Sequence, residues 1–468
     1  MVMMKVILFG VGTYYEKLKI CFQHDEIIAL IDNNHNKIGT IRDGIKVSSP
    51  KLWAHLCFDR IFILTSKVDT IYNQLLELGI PKDKISTLYD LPQFYAEAFM
   101  KSEMMLYYPK DRLKLLLHST KKRVAILTQG MGINGGDFVI GLLTEVLASD
   151  CEVHVISWTD GPLRQKIMSL GAVVMIDNFL MTTTLQKTEW AEAYDLIIVN
   201  GAGFYGLFAG DNFSVSVPVI WWIHSSGTMN SEIMLQTLEG HSEQGRVLVY
   251  GVSNRAVASF GELLPSWQIE ELCYGIHDFR CRKSNRSEKI IFAIIGSLHP
   301  RKGQDILLDA FEHLEVRYRD LCELWIIGPA KENDYTRKIQ AQAKKYSNVK
   351  IMGVFDNEKL QDIYDQISVL VCPSREDTMP IVCAEAMMHY RPCIVSENVG
   401  TAQYIEHAYN GLIVKTGNVN DLREKIEWVI DNKKEIEKMG INARKIYETR
   451  FLFEIFEHNL MKMTKTLL

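Results

Sequence analysis

Short apolar runs alternate with segments of helical periodicity along most of the chain, and this alternation predicts repeated β-α units. In a first block, placed at residues 1–95, the runs Lys5–Phe9, Glu26–Ile31 and Arg60–Thr65 are β-rich. Asp69–Leu78 has the spacing of a helix. Units of this kind form a parallel sheet covered by helices.

The same alternation recurs in two larger blocks, placed at residues 123–280 and 281–468. Their predicted strands are Arg123–Thr128, Glu152–Ser157, Val173–Ile176, Leu196–Asn200, Val217–Ile223, Val247–Val252, Ile290–Ile295, Glu323–Gly328, Val349–Met352, Val369–Cys372, Pro392–Val395 and Gly411–Val414. A helical stretch over Val419–Leu468 ends the chain and is expected to cross back toward the earlier block. The expected fold class is therefore α/β, with two facing Rossmann-like domains joined near Tyr274–Phe279 and a small Rossmann-like domain in front.

A basic and apolar segment separates the first two blocks. From Lys101 to Arg123 it has seven Lys or Arg residues and two acids, in a chain whose net charge is −5. We place a helical linker at residues 96–122. Such a segment could hold the protein peripherally on the inner face of an anionic membrane, or it could be a packed helix with a solvated face.

Composition narrows the classes of protein. A hydrophobic fraction of 47% with 23% charged residues excludes disorder, collagen and coiled coil as overall classes. The near-balance of 52 basic and 57 acidic residues argues against a nucleic-acid partner. Nine scattered cysteines without a C-x-x-C pair predict buried thiols and no zinc site. The apolar start is too short for a signal peptide and no run reaches the roughly 20 residues of a membrane span, so a cytoplasmic location is expected.

The stretch from Pro373 to Met387 carries two carboxylates where a strand end, a polar loop and a helix start are predicted. Asp377 lies in the loop, and Glu385 lies eight positions later, in a helix that begins near Pro380. Ligands bind at the carboxyl ends of strands in open α/β sheets, and backbone N–H groups at a helix start can donate to them. A carboxylate can accept hydrogen bonds from neighbouring sugar hydroxyls. An ordinary capped helix start is the alternative.

A second polar loop, residues 296–305, follows the predicted strand Ile290–Ile295 and precedes a helix over Ile306–Phe311. It contains Arg301-Lys302-Gly303. Cations and a glycine before a helix can form a diphosphate site, although a basic surface turn has the same composition.

A third loop, Gly130-Met131-Gly132-Ile133-Asn134-Gly135-Gly136-Asp137, follows the predicted strand that ends at Thr128. Glycines at this point allow a phosphate or a sugar to approach the backbone closely. A glycine-rich turn alone is a weak indication of function.

Together and in this order, the three stretches resemble family 4 of the retaining glycosyltransferases, which have the GT-B fold. The resemblance covers about residues 123–468. Asp377 and Glu385 match that family's E-x7-E signature, with aspartate in the first position and Glu376 directly before it. The resemblance implies that Glu385 holds the nucleotide ribose. It also implies that Asp377 or Glu376, together with a short backbone segment, holds the transferred sugar; that segment is Thr378, Met379, Pro380 and Ile381.

The same resemblance implies which residues bind the phosphates of the donor. Lys302-Gly303 matches the family's diphosphate-binding pair, and Gly135-Gly136 matches the Gly-Gly loop beside the phosphates and sugar. The arginine usually found five residues before the lysine is Ser297 here, and Arg301 is the candidate that compensates.

Three further segments resemble the same family less closely. His224 ends the predicted strand with Trp221-Trp222-Ile223, as the family's strand-end histidine does near the anomeric centre, although a structural histidine is the commoner case. Tyr274-Gly275-Ile276 resembles the hinge between the two domains. Val354, after Gly353, resembles the loop that borders the nucleobase.

The resemblance implies a nucleotide-diphosphate sugar as donor, with UDP as the commonest nucleotide, and a hexose-type sugar as the group moved. It implies a carbohydrate, lipid-linked or protein-linked glycan acceptor in a bacterial surface polysaccharide or glycoprotein pathway. Transfer with retention is expected, and His224, Asp377 and Lys302 are the predicted catalytic residues. Because Lys302, Arg301 and backbone donors can stabilise the leaving diphosphate, no cofactor and no metal are expected.

The first block carries a partial dinucleotide fingerprint. Gly10 and Gly12 follow the first strand, and Asp32 ends the second strand twenty residues after Gly12, but Tyr15 stands where a third glycine is usual. The block resembles the small Rossmann-like module at the front of sugar acyltransferases. Two interpretations of the block stay open: it is a scaffold or docking domain, or it is a nucleotide-binding domain.

Two other classes of function compete with a glycosyltransferase. A non-catalytic subunit of the same fold that recognises the acceptor is favoured by Ser297 and opposed by Lys302, Asp377 and Glu385. A NAD-dependent sugar oxidoreductase would use Gly10 and Gly12 but would leave most of the chain unexplained.

Overall fold

The computed structural model describes residues 3–51, 56–65, 67–95, 105–107, 121–132, 135–182, 189–208, 216–225, 246–279 and 289–468. The chain divides into two compact units. The first contains residues 1–221, 229–248 and 468, and the second contains residues 222–228 and 249–467.

The first sheet lies in the first unit and has six strands. They are β1 (Lys5–Phe9), β2 (Glu26–Ile31), β3 (Ile41–Arg42), β4 (Ile45–Ser48), β5 (Arg60–Ile63) and β6 (Ile85–Thr87), in the order β3-β4-β2-β1-β5-β6. Its helices are α1 (Thr13–Leu18), α2 (Val68–Glu77) and α3 (Leu91–Phe94). The central strand β1 is buried after Lys5 because both faces of a parallel sheet are covered.

A short hairpin, β3–β4, is added to this sheet and was not predicted. Asp43 and Gly44 join the two strands, with φ of 47° and 79°. Positive φ at both central residues is what a two-residue hairpin turn requires, and Asp-Gly is a favoured pair for it.

The second sheet has eight strands. They are β7 (Met105–Tyr107), β8 (Arg123–Thr128), β9 (Glu152–Ser157), β10 (Val173–Ile176), β11 (Leu196–Asn200), β12 (Val219–Ile223), β13 (Val247–Gly251) and β14 (Ile269–Glu271), in the order β14-β13-β12-β11-β8-β9-β10-β7. Its α-helices are α4 (Gly135–Leu147), α5 (Leu163–Ser169) and α6 (Asn254–Leu263). Counted from β8, this is the Rossmann strand order.

The third sheet lies in the second unit. Its strands are β15 (Ile290–Ile295), β16 (Cys322–Ile327), β17 (Val349–Gly353), β18 (Val369–Cys372), β19 (Cys393–Ser396) and β20 (Gly411–Val414), in the order β17-β16-β15-β18-β19-β20. The helices are α7 (Gln304–Glu312), α8 (Val316–Arg319), α9 (Asp334–Ala343), α10 (Asn357–Gln366), α11 (Ile381–Met388), α12 (Val419–Asp431), α13 (Glu435–Ile446) and α14 (Phe453–Leu467). This is again the Rossmann order, and β15 is its fully buried central strand.

The linker and the terminal stretch differ in part from the sequence analysis. Met105–Tyr107, placed there in a helical linker, form a strand antiparallel to β10. The rest of residues 96–120, to which the predicted membrane contact belongs, lies outside the described residues. The terminal stretch is three helices, with a π-helical turn at Tyr447–Phe451 before the last one. In that helix Phe456 stacks on Trp222, with ring centroids 5.6 Å apart.

Within the first unit, helix α1 of the front sheet contacts the loop that follows β9. The Tyr14 ring lies against the Trp158 ring, with centroids 4.4 Å apart. Lys17 Nζ donates to the Trp158 carbonyl at 2.5 Å and to Asn178 Oδ1 at 2.7 Å. The front module is therefore held to the second sheet by an aromatic contact and a partly buried lysine.

Two further predictions concern thiols and membrane spans. Eight of the nine cysteines lie in the described part of the chain and all eight are free; Cys281 lies outside it. None of the described helices combines the length and apolar character needed to cross a membrane.

Candidate active site

The loop after β15 is shaped by Gly303. This residue has φ of 75°, and a Cβ built on it would lie 2.4 Å from the Pro373 carbonyl oxygen. Both the left-handed backbone and the close approach exclude a side chain at this position. The glycine thus lets the loop that carries Lys302 lie against the loop that follows β18.

Two cations of the first loop converge on the carboxylate of Asp377. Lys302 Nζ lies 2.5 Å from Asp377 Oδ2, and Arg301 Nη1 lies 3.5 Å from the same oxygen. Arg301 also donates to the Glu376 carbonyl at 3.0 Å. Asp377 is 7% exposed, so the pair is partly shielded from water. The Asp377 carboxylate thus contacts both cations of the first loop.

Arg375 and Asp305 brace the same two loops, and the sequence analysis did not identify them. Arg375 Nη1 and Nη2 donate to the two oxygens of Asp305 at 3.0 and 2.7 Å. Burial would raise the pKa of Asp305, but the Arg375 hydrogen bonds and charge lower it below its usual value. The opposite charges were visible in the sequence, but their distance in space was not.

The backbone on each side of Asp377 is tied to the segment after β19. Gly400 N–H donates to the Asp377 carbonyl at 2.8 Å, and Asp377 N–H donates to the Asn398 carbonyl at 3.3 Å. A Cβ on Gly400 would overlap the Thr378 carbonyl oxygen. The loop that carries the predicted sugar-binding residues is therefore a packed segment with a defined path.

His224 lies beside this loop within the second unit. Thr378 Oγ1 donates to the His224 carbonyl at 2.5 Å. Burial lowers the pKa of the His224 imidazole to about 3, so the ring is neutral at ordinary pH. Its Nε2 atom is buried and has no hydrogen-bond partner in the described part of the chain. The structure thus brings the predicted strand-end histidine to the predicted sugar loop.

The remaining residues of the loop lead into helix α11. The Met379 carbonyl accepts a hydrogen bond from the Tyr274 hydroxyl at 3.0 Å. Pro380 is the N-cap residue and makes no side-chain capping bond, and Ile381 is the first helical residue. The predicted strand, loop and helix start are therefore present, with the hinge residue Tyr274 in contact with the loop.

Glu385 lies on α11 and is partly exposed. Tyr364, on α10, donates its hydroxyl to Glu385 Oε2 at 2.6 Å. Burial raises the pKa of Glu385, and the Tyr364 hydrogen bond opposes this shift without cancelling it. The sequence analysis predicted the acid but not its tyrosine partner, which lies on a different helix.

Ser297 and Val354 follow two strands of the third sheet, Ser297 after the central strand β15 and Val354 after the edge strand β17. The Ser297 carbonyl accepts from Gln304 Nε2 at 2.9 Å. Its hydroxyl cannot replace the charge of the arginine usual in the family. Val354 is 61% exposed, directly after β17.

Gly135 and Gly136 lie in the first unit. Gly135 opens helix α4, and the Gly136 carbonyl accepts from Asn200 Nδ2 at 3.1 Å. The glycine-rich loop is thus followed by a helix, as predicted.

In the first sheet, the glycine-containing loop that follows β1 is hydrogen-bonded to Asp32. Asp32 Oδ2 accepts from Val11 N–H at 3.0 Å and from Lys37 Nζ at 3.1 Å, and Oδ1 accepts from Asn34 N–H at 2.8 Å. A Cβ on Gly10 would lie 2.7 Å from the Leu64 carbonyl oxygen, whereas Gly12 has only Lys37 Nζ nearby. The carboxylate that a ribose would need is engaged in holding the loop, which favours the scaffold interpretation over nucleotide binding.

Among the described residues, no group of three or more His, Cys, Asp or Glu side chains is arranged to hold a metal ion.

Two family models match the chain. Residues 277–446 match the model described as "Glycosyl transferases group 1", and residues 2–86 match "C2185-like, N-terminal". The first match contains Lys302, Asp377 and Glu385, and the second contains Gly10 and Asp32.

Two curated relatives are similar over part of the chain. An uncharacterized glycosyltransferase of Methanocaldococcus jannaschii is 28% identical over 162 residues, 34% of this chain and 43% of the relative. The alpha-D-kanosaminyltransferase of Streptomyces kanamyceticus is 22% identical over 253 residues, 49% of this chain and 65% of the relative. The chain spans less than two thirds of the length of both.

Among solved structures, Anabaena HepE in complex with UDP matches with a TM-score of 0.63 and 17% identity, over 74% of this chain and all of that one. At this identity the likeness establishes the fold. The chain has the GT-B fold that the sequence analysis predicted, with Rossmann-like α/β domains.

Proposed function

We propose that this protein is a retaining glycosyltransferase of family 4 that moves a hexose-type sugar from a nucleotide-diphosphate sugar to a glycan, glycolipid or glycoprotein acceptor. One observation carries the proposal. Lys302, Asp377, Thr378 and His224 meet in the second unit at the carboxyl ends of parallel strands. The family match and the glycosyltransferase relatives support the same reaction class.

In this proposal the two carboxylates have different partners. Glu385 accepts hydrogen bonds from the ribose of the donor. Asp377 and the backbone of Thr378, Met379, Pro380 and Ile381 bind the hydroxyls of the transferred sugar. Val354 borders the base, which we take to be uracil because the HepE structure contains UDP.

Lys302 and Arg301 stabilise the diphosphate as it leaves, together with backbone N–H groups of the same unit. Negative charge grows on the leaving oxygen as the bond to the anomeric carbon breaks, and fixed positive charge there lowers the barrier. With this charge supplied by side chains and backbone N–H groups, transfer proceeds without a divalent metal. The neutral ring of His224, whose Nε2 has no partner among the described residues, can donate or accept one hydrogen bond there.

Retention follows from attack on the same face as the departing diphosphate. The acceptor hydroxyl loses its proton to the leaving phosphate oxygen, and its oxygen bonds to the anomeric carbon. The products are the glycoside and the nucleoside diphosphate, whose extra proton passes to solvent.

The proposal is tested by incubating the full chain with a panel of UDP- and GDP-sugars and measuring free nucleoside diphosphate without added acceptor. At least one donor should raise the melting temperature and be hydrolysed slowly. Lys302→Met and Glu385→Gln should each lower that rate by at least about tenfold.

Lys344→Met is the matched control, because Lys344 is an exposed lysine of the same unit, directly after helix α9. Its rate should equal that of the wild type. EDTA should leave all rates within about twofold, whereas a loss that Mg²⁺ restores would contradict metal independence. Donors that bind but are never hydrolysed would favour the non-catalytic recognition subunit.

A further inference from the structure

Tyr364 and Glu385 form a hydrogen bond between two helices of the second unit. The Tyr364 hydroxyl on α10 donates to Glu385 Oε2 on α11 at 2.6 Å. Tyr364 is fully buried, and Glu385 keeps part of its surface exposed. The tyrosine therefore approaches the carboxylate from the interior, and part of the Glu385 residue lies at the protein surface.

The Tyr364 ring is itself held in place. It stacks on His389, with centroids 5.5 Å apart and an interplanar angle of 22°. His389 Nδ1 lies 2.7 Å from Asp365 Oδ1, and its Nε2 lies 2.6 Å from Gln361 Oε1. The hydroxyl thus belongs to a side chain with a fixed ring.

The backbone under Tyr364 is also fixed. Arg391 donates from Nε to the Tyr364 carbonyl at 2.8 Å and from Nη2 to the Asp365 carbonyl at 2.7 Å. These bonds join the end of α10 to the segment after α11. Tyr364 and Glu385 therefore keep their separation in space even though they are twenty-one positions apart in the sequence.

The hydrogen-bonding capacity of the carboxylate indicates what this arrangement can do. An ionised carboxylate has about four acceptor positions on its two oxygens. Tyr364 uses one of them on Oε2, and no other hydrogen bond to the Glu385 carboxylate is found among the described residues. Oε1 is thus free to accept from two neighbouring hydroxyls.

We infer that Tyr364 is a positioning residue that fixes the orientation of the Glu385 carboxylate, so that Oε1 accepts from the vicinal hydroxyls of the donor ribose. This inference rests on the proposed function, in which Glu385 binds that ribose. Without the Tyr364 hydroxyl the carboxylate can rotate about its terminal torsion, which is broad for glutamate. Binding of the ribose then has to restrict this rotation, and the affinity for the nucleotide falls.

The inference predicts an effect that depends on the ligand. Tyr364→Phe removes one oxygen atom and keeps the ring stacked on His389. It should weaken the affinity for UDP by about tenfold, as expected for a hydrogen bond to a charged group. It should change the affinity for 2′,3′-dideoxy-UDP by less than about twofold, because that nucleotide lacks the hydroxyls that Oε1 would bind.

Isothermal titration calorimetry on the full chain measures both affinities. If the wild type binds GDP more tightly than UDP, GDP and its dideoxy form are used instead. Tyr318→Phe is the matched control, since the Tyr318 hydroxyl donates to Asp431 at 2.9 Å, in a tyrosine–carboxylate pair on other helices. It should leave both affinities unchanged.

Several outcomes would overturn the inference. A Tyr364→Phe variant that binds both nucleotides as tightly as the wild type, or that loses affinity equally for both, would exclude a positioning role. The ratio of the two affinities within one preparation is independent of a small loss of folded protein. If the wild type binds the nucleoside diphosphate and its dideoxy form equally well, Glu385 does not contact the ribose hydroxyls, although the protein still binds the nucleotide. A wild type that binds no nucleoside diphosphate would overturn the proposed function itself.

Discussion

Lys302 and Asp377 form an ion pair in which Nζ and Oδ2 are 2.5 Å apart, across the interface of two loops of the third sheet. The proposed function gives these residues different ligands, the diphosphate for Lys302 and the sugar for Asp377. Before the donor binds, each therefore satisfies the other. An incoming diphosphate has to compete with Asp377 for the lysine.

Replacing Asp377 should separate nucleotide binding from transfer. Asp377→Asn removes the competing charge, so the affinity for UDP should rise by about threefold or more, since the pair is only partly exposed. The rate of sugar transfer should fall by at least about tenfold, because the sugar loses an acceptor. Calorimetry with UDP and the nucleotide-release assay measure the two effects.

The neighbouring acid is the natural comparison. Glu376→Gln leaves the Lys302–Asp377 ion pair in place and should move neither quantity by more than about twofold. The opposite pattern, with transfer lost in Glu376→Gln and kept in Asp377→Asn, would assign the sugar contact to Glu376.

Gly303 offers a second test, because Gly417 has nearly the same backbone without the crowding. Their φ values are 75° and 76°, but a Cβ at Gly417 would meet nothing within 4 Å. Gly417→Ala should lower the free energy of unfolding by about 1 kcal/mol, the cost of a left-handed alanine. Gly303→Ala should cost at least about twice as much, because its Cβ overlaps the Pro373 carbonyl.

Urea unfolding measures both costs, and UDP affinity should fall in Gly303→Ala alone. Equal costs at the two glycines would mean that the Pro373 contact is not required. An unchanged UDP affinity in Gly303→Ala would separate this loop from the nucleotide site.

His224 should make the fold sensitive to acid. Its pKa is about 3 in the folded chain, while a histidine in an unfolded chain titrates near 6.5. Below about pH 6.5 the unfolded state binds a proton that the folded state excludes, so stability falls as the pH drops toward 3. At pH 5 this amounts to about 2 kcal/mol.

His224→Asn removes the titratable imidazole. Between pH 7 and pH 5 its free energy of unfolding should therefore fall by about 2 kcal/mol less than that of the wild type. Urea unfolding at the two pH values gives the difference. His313→Asn, at an exposed histidine, should follow the wild type. Parallel pH dependence in all three proteins would contradict the burial of the His224 ring.

The contact between the front module and the second sheet should make the two unfold together. Tyr14→Ala combined with Lys17→Ala removes the ring from Trp158 and leaves the Trp158 carbonyl and Asn178 without their donor. Calorimetric unfolding should then show an additional transition at lower temperature. Lys19→Ala, on the neighbouring turn with its partners Glu16 and Asp43, should not produce it.

The strands of the parallel sheets were predictable from sequence because a strand buried on both faces is a continuous apolar run. Arg123–Thr128, Ile290–Ile295 and Val369–Cys372 begin and end as predicted. The strands that escaped prediction are short and lie at or near sheet edges. Ile269–Glu271, for example, is largely exposed and has no apolar run to reveal it.

The site was predictable to the extent that its chemistry is local in sequence. Lys302 and Asp377 each lie in a recognisable loop, and the structure brings them together. Tyr364 and Arg375 were not found, because their partners Glu385 and Asp305 lie twenty-one and seventy positions away, and hydrophobic periodicity does not encode such contacts. Likewise, spacing could not distinguish Glu376 from Asp377; the structure shows that Asp377 pairs with Lys302, and which acid contacts the sugar stays a prediction.

The raised pKa of Glu385 has a consequence for how the thermal stability of this protein could be increased. A carboxyl whose pKa is raised by folding adds stability only at low pH, and this contribution disappears as the pH rises through the folded-state value. Above that value the ionised acid therefore lowers the free energy of unfolding, and an uncharged glutamine would remove this cost. A screen that rewards heat resistance alone would then enrich Glu385→Gln, which the proposed function predicts to be slow, so any thermostabilising programme has to select for turnover at the same time.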